Sequence, residues 1–256
     1  MDLKTALASV EHFYRRIYWQ APTATTRTYT SYTLSYSGIP WLESVNQLWL
    51  HDANTLDDAL LEQAAAFFGD QRAEYSVVLT EEAPAPSTQW LTARRYSERS
   101  SNPIYALQGL PRAHNPHREA TLMRASVDQQ QVLLDVLYAT FFLGPELGRC
   151  AVRADHFSDP TIRHYLAYVE GKVAACATVL LKDSVAGVWN VGTLREYRRQ
   201  GIASALLMHA LTEAAADGCR DSVLVASAMG RSLYEQMGYQ LIGTSLFYGP
   251  TDGPNS

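Results

Sequence analysis

The segment from Val188 to Leu207 constrains this chain more than any other. It reads Val188-Trp189-Asn190-Val191-Gly192-Thr193-Leu194-Arg195-Glu196-Tyr197-Arg198-Arg199-Gln200-Gly201-Ile202-Ala203-Ser204-Ala205-Leu206-Leu207. β-Branched and aromatic residues open it, a basic turn follows, and an alanine- and leucine-rich run without proline closes it. That order predicts a strand, a short connection and a helix whose first turn is Gly-Ile-Ala-Ser. Small residues there leave the backbone N–H groups open to a close ligand. Those groups stand at the positive end of the helix dipole, so the place suits a phosphate. Arg195, Arg198 and Arg199 add positive charge in a chain whose formal net charge is −5. A plain helix start with solvated side chains would account for one arginine. Three of them, with the Gly-x-Ala spacing and the strand before it, point to a pyrophosphate site. It is not a Walker loop, which needs Gly-Lys-Ser/Thr, nor a Gly-x-Gly-x-x-Gly dinucleotide fingerprint.

The acidic balance argues against a nucleic-acid binder or a polybasic membrane protein. No apolar run approaches the roughly 18 residues of a membrane-spanning helix. The start, Met1-Asp2-Leu3-Lys4-Thr5-Ala6, lacks a basic-then-apolar leader pattern. Cys150, Cys176 and Cys219 are far apart and odd in number, which implies no disulfide framework and no metal pair. The expectation is a cytoplasmic protein with no membrane or nucleic-acid partner and no metal.

At 256 residues the chain is long for one compact domain. Leu110 to Arg118 has two prolines and no apolar periodicity and reads as a linker, which puts a boundary near residue 115. Beyond it the pattern predicts strands over 120–126, 164–169, 172–181, 186–194, 221–226 and 239–248. Helices are expected over 127–142, 201–216 and 229–237. Glu170-Gly171 marks a hairpin, and Gly218 and Gly238 mark helix ends. The result is an α/β domain with a mixed sheet.

Arg198-Arg199-Gln200-Gly201-Ile202-Ala203 resembles the Arg/Gln-x-x-Gly-x-Gly/Ala signature of the GNAT superfamily of acyl-CoA-dependent N-acyltransferases. Leu233-Tyr234-Glu235-Gln236-Met237-Gly238-Tyr239 is similar to the end of that family's fourth helix, and the hairpin fits too. The resemblance covers roughly residues 119–250. It implies the acyl-CoA N-acyltransferase fold, whose fourth and fifth strands splay around acetyl-CoA. Arg198, Arg199, Gln200, Gly201, Ile202, Ala203 and Ser204 would hold the pyrophosphate. Backbone groups of Val191, Gly192 and Thr193 would pair with the pantetheine arm. Tyr234 would be the general acid for the leaving thiolate. Ser227 stands where many members carry a CoA-binding asparagine, a weaker contact. The strand offers Trp189 and Asn190 where a glutamate base is common, so the base is unassigned; His164 and Glu170, on the neighbouring second strand, are candidates that could reach water in the cleft. The implied activity is N-acetylation of a small-molecule or peptide amine by direct attack, in a monomer or homodimer. A non-catalytic acyl-CoA-binding module, or an acyltransferase using a longer acyl-CoA or an oxygen acceptor, are the alternatives.

The first 115 residues read as a degenerate copy of the same domain. Asp58-Ala59-Leu60-Leu61 resembles Ser204-Ala205-Leu206-Leu207, and Ser76-Val77-Val78-Leu79 resembles Ser222-Val223-Leu224-Val225, the two matches starting 18 residues apart in each half (76 − 58 and 222 − 204). A helix near 87–98 holding Tyr96 is matched to the one holding Tyr234, and a strand over 103–110 to the last strand. The segment His51 to Asp57 has no glycine or arginine and two carboxylates where phosphates would go, so this copy is expected not to bind CoA. The catalytic domain is expected to be 116–256.

Overall fold

The computed structural model describes residues 1–80, 85–113, 119–141 and 144–251. Its helices and strands, in chain order, are α1 (Leu3–Ile17), β1 (Thr25–Thr28), β2 (Tyr32–Tyr36), β3 (Gln47–Leu50), α2 (Asp58–Gly69), β4 (Ser76–Thr80), α3 (Ala85–Ala93), β5 (Tyr96–Gln108), β6 (Ala120–Arg124), α4 (Gln130–Phe141), α5 (Pro145–Ala151), β7 (Ile162–Val169), β8 (Lys172–Lys182), β9 (Val185–Thr193), α6 (Ile202–Ala216), β10 (Asp221–Val225), α7 (Arg231–Gln236) and β11 (Gln240–Pro250). The order expected after residue 119 is found, with α5 added and α7 shorter than its sequence pattern. The boundary near residue 115 lies outside the described residues.

The chain divides into two compact units that are not its two contiguous halves. One holds Met1–Phe13 and Ile104–Ile242; the other holds Tyr14–Pro103 and the chain from Gly243 onward.

In the first unit the strands run β5-β10-β9-β8-β7-β6. β10 is antiparallel to β5 and parallel to β9; the remaining pairs are antiparallel. Glu170 and Gly171 both have positive φ, the tight hairpin turn whose twist suits joined strands. α6 lays Leu206, Leu207, Ala210, Leu211 and Ala214 on a sheet face made of Tyr165, Ala175, Ala177, Val179 and Val188. Alanines on the strands let the leucine-rich helix come close. α6 stops at Gly218 (φ +95°): the Gly218 N–H donates to Ala215 and the Cys219 N–H to Ala214. These are the two bonds of a Schellman ending, which needs the left-handed residue there. α4 packs against β8 and β9. Phe13 stacks on Trp189 of β9 at 3.8 Å between ring centres.

In the second unit the strands run β1-β2-β3-β4-β11. β1, β2 and β3 pair antiparallel, β3 and β4 are parallel, and β11 is antiparallel to β4. α2 buries Leu60, Leu61, Ala64 and Phe68, each 146 residues before Leu206, Leu207, Ala210 and Ala214 of α6 (206 − 60, 214 − 68). Arg72 is left-handed (φ +50°) at the same offset from Gly218, and the Ala73 N–H returns to Phe68 as Cys219 returns to Ala214. The internal repeat is thus a repeat of backbone path as well as of sequence.

One pairing within the repeat is corrected. Tyr96 does not lie in a helix: α3 ends at Ala93, Arg95 turns left-handed (φ +62°), and Tyr96 opens β5. Gly238 (φ +92°) and Tyr239 do the same before β11. Tyr96 therefore corresponds to Tyr239. Both are buried and tied by their hydroxyls, Tyr96 to Tyr75 and Tyr239 to Ser222. Counting back from the tyrosines, the residue in Tyr234's place is Leu91, which is fully buried.

Candidate active site

The site lies where two parallel strands part. β9 and β10 pair from Val185 opposite Asp221 to Val188 opposite Leu224. β10 then ends at Val225, while β9 runs on to Thr193 with only β8 beside it. Among the described residues no strand covers the β10-side edge of Val191, Gly192 and Thr193. Because the strands are parallel, the segments following them emerge at the same end of the sheet. That is the general location of ligand crevices in α/β proteins.

A bulge helps β9 turn away. Cys176 faces Gly192 and Thr178 faces Trp189, so Asn190 and Val191 together oppose Ala177. Asn190 takes the left-handed conformation (φ +53°), which asparagine tolerates better than most residues. Its carbonyl accepts a 3.4 Å bond from the Cys176 thiol, and burial pushes that thiol up to about 12. The Asn190 Nδ2, on the bulge, is buried and has no hydrogen-bond partner among the described residues. Gly192 is required by packing: a Cβ there would stand 2.4 Å from the Thr140 Oγ1 of α4.

The turn to α6 gathers main-chain N–H groups. The Arg198 Nε donates to the Thr193 carbonyl at 3.0 Å, which ties the basic turn to the strand end. Arg199 (φ +64°) and Gly201 (φ +79°) are both left-handed, an arrangement that turns successive N–H groups into a concavity suited to an anion. Gly201 is the helix N-cap, and the Ala205 N–H makes the first bond back to it. The N–H groups of Ile202, Ala203 and Ser204 therefore have no acceptor within the helix. Ile202 is buried and anchors the first turn. The Ser204 hydroxyl bonds back to the Gly201 carbonyl at 2.8 Å, so this residue offers its N–H alone. The Gln200 side chain bonds to the Glu196 carbonyl, leaving its backbone in the turn.

After β10 the chain passes Ser227, whose hydroxyl accepts from the Gly230 N–H at 3.2 Å and so closes the turn into α7. Gly230 makes room for the Tyr234 ring, since a Cβ would lie 2.8 Å from it. Tyr234 is buried edge-on against Tyr239 at 5.9 Å between ring centres. No described residue hydrogen-bonds its hydroxyl. Desolvation pushes the phenol up to about 12, so it stays a proton donor throughout the neutral range.

His164 and Glu170 are not brought to this opening. His164 sits on β7, two strands from β9, with its Nδ1 on the Thr178 Oγ1 at 2.9 Å. Burial drives its pKa down to about 4. Glu170 is exposed at the hairpin tip. Sequence reasoning named Asn190 without giving it a role; an asparagine inside a β-branched run was the available sign of the bulge.

Residues 133–239 match the model of the Acetyltransferase (GNAT) family. Solved structures with this fold include a GCN5-related N-acetyltransferase from Kribbella flavida, at 18% identity and a TM-score of 0.75, with 99% of this chain and 97% of that one covered. A GCN5-related N-acetyltransferase from Sphaerobacter thermophilus aligns at 15% identity and 0.63 over 87% of this chain and 82% of its own. A tandem GNAT protein from the clavulanic acid biosynthesis pathway aligns at 13% and 0.63 over 90% and 84%. No curated protein matches the chain. Residues 133–239 thus resemble a GNAT acetyltransferase domain, and the solved structures share the fold. Among the described residues no helix is long and apolar enough to cross a membrane.

Proposed function

We propose that this protein is an N-acetyltransferase that moves the acetyl group of acetyl-CoA to a primary amine of a small molecule or peptide. The observation that carries this reading is the opening past Val188 and Leu224, flanked by a glycine-capped helix start and an unbonded, protonated tyrosine. The donors present fit the substrate: main-chain N–H groups from Arg199 to Ser204 for the pyrophosphate, with Arg198 beside them, and the uncovered edge of Val191 to Thr193 for the amide-bearing pantetheine. Ser227 is left as part of the turn.

The amine, in its neutral form, attacks the thioester carbonyl carbon. A β9 N–H stabilises the charge that develops on the oxygen, and the buried Asn190 amide is a second donor available there. As the C–S bond breaks, the Tyr234 O–H donates to the sulfur, and the thiol leaves with a proton. The proton lost by the attacking nitrogen passes to water, and Tyr234 is restored from solvent. The products are an amide and CoA thiol, with no group on the enzyme consumed.

The unit built mainly from the first half lacks both functional parts. The Asp57 carboxylate caps α2 by accepting from the Leu60 N–H at 2.8 Å, which places a negative group 146 residues before Ala203, a residue of the other copy's first helical turn (203 − 57). Leu91 stands in Tyr234's place. The chain therefore has one working site: the copy carried mainly by residues 1–115 is degenerate, and the cradle and acid residues all lie within 116–256, although each unit borrows a strand from the other half. Thiol release from acetyl-CoA across a panel of amines tests this. Tight CoA binding with no turnover on any amine would instead identify a non-catalytic binding module. Mass spectrometry of CoA species carried through purification would reveal a longer acyl group.

A further inference from the structure

α7 is a six-residue helix entered through an exposed loop, in which Met229 is 73% exposed. So short a helix has little stability of its own and takes its position from tertiary contacts. Tyr234 faces Tyr239 inside. The next residue, Glu235, is held by Tyr105 of β5, whose O–H donates to the Glu235 Oε1 at 3.1 Å. The Arg231 Nε bonds the same oxygen at 2.8 Å from one turn earlier. Arg231 first, and Tyr105 second, hold the Glu235 carboxyl below the usual range, so the acceptor is ionised. Tyr105 itself is 1% exposed and lies opposite Leu224, the last β10 residue paired with β9 before the strands part.

Two features separate this contact from general packing. The Tyr105 ring would fill the core equally well as phenylalanine; its hydroxyl is used on α7, on Glu235 and on the Arg231 paired with it. A hydrogen bond from a phenol to an ionised carboxylate is directional, so it restrains the rotation of α7 about its axis. Arg231 belongs to α7 and cannot do this, because it moves with the helix.

We propose that Tyr105 is a positioning residue for catalysis: through Glu235 it sets the orientation of α7 and thereby aims the Tyr234 hydroxyl at the departing sulfur. The inference rests on the reading of Tyr234 as the acid. It gives the first half of the chain a part in the reaction, because β5 is the strand that ends that half.

The test is steady-state thiol release by the full chain, with unfolding followed in parallel. Tyr105→Phe should lower kcat about tenfold while KM for acetyl-CoA stays within about twofold. Wild-type kcat should be flat to about pH 10, whereas the variant should decline there, as Tyr234 gains solvent and its pKa returns toward about 10. Glu235→Gln, which keeps an oxygen for Tyr105, should retain near-wild-type kcat. Glu235→Ala should reproduce Tyr105→Phe, and the double variant should be no slower than either single one. Should Tyr105→Phe fail to fold, Glu235→Ala carries the test from the helix surface. A lowered unfolding midpoint with kcat within twofold and an unmoved pH profile, while Tyr234→Phe is slow, would overturn the positioning role and leave the acid in place. Unchanged kcat in Tyr234→Phe would overturn the acid assignment first, and this proposal with it.

Discussion

His164 gives the most quantitative prediction. The ring is 1% exposed, stacks on His156 at 5.8 Å and lies 5.0 Å from the Phe157 ring. Burial, and then the positive charge of Arg124, lower its pKa from 6.5 to about 4. The folded form therefore holds this imidazole neutral while the unfolded chain still titrates near 6.5. Between those values the unfolded state binds more protons, so stability falls as pH falls. Protonating the ring in the folded protein would cost about 3 kcal/mol, since each tenfold loss of proton affinity is worth roughly 1.4 kcal/mol. Most of that slope lies between pH 6.5 and 4, and about 2 kcal/mol of it should be lost on going from pH 7 to pH 5. Urea unfolding at the two pH values measures the loss. Carboxylates contribute as well, so the diagnostic quantity is the difference from His164→Gln, which keeps a hydrogen-bonding group near Thr178 but does not titrate. The variant should lose about 2 kcal/mol less than the wild type over the same interval. Equal losses in the two proteins would show that the imidazole is already protonated, or solvated, in the native state. Turnover by His164→Gln should match wild type at pH 7, because the ring is two strands from the opening.

Three further outcomes are expected. Tyr234→Phe should lower kcat by about one to two powers of ten, with acetyl-CoA affinity unchanged by titration calorimetry; unaltered turnover at several pH values would remove the acid. Gly201→Glu should abolish CoA binding by placing a carboxylate in the cradle and forcing a side chain onto a left-handed residue, a strain of roughly 1–2 kcal/mol; retained affinity would put the phosphate elsewhere. CoA should bind with one site per chain, and Asp57→Ala should cost about 1 kcal/mol of stability without creating a second; a stoichiometry of two would show that the first copy is alive.

The parts of the fold that were legible in sequence are those fixed by local chemistry. α6 shows itself because Gly218 supplies the left-handed residue that ends it, and the hairpin because Glu170-Gly171 supplies its turn. The same backbone turn at the ends of α2 and α3 is made by Arg72 and Arg95. Neither carries a glycine's signal, which is why Tyr96 reads as helical and the repeat is misaligned there. α5 is one short segment between α4 and a run of turns, too brief for a periodic pattern. The concave turn and helix start at Arg198–Ser204 are legible because small residues and a glycine cap are contiguous in the sequence. The separation of β9 from β10 is not, since it depends on one strand outlasting another and on a single left-handed asparagine. Strand partners are the least legible of all: nothing in the alternation of β5 distinguishes β10 from β4 as its neighbour.

That exchange of closing strands has a consequence for how the chain is made. Leu79 of β4 pairs with Leu246 of β11, 167 residues further along (246 − 79), and Ala106 of β5 pairs with Val223. Pairings this distant close large loops and slow the search for the native state. During synthesis β4 must wait with one edge bare until residues 243–250 have left the ribosome, and a bare strand edge invites pairing with other chains. Cutting the chain near residue 115 would not release two domains. It would produce two fragments, each carrying the strand that finishes the other. Separately expressed fragments should accordingly be poorly soluble alone and recover a folded, cooperative unit only when refolded together.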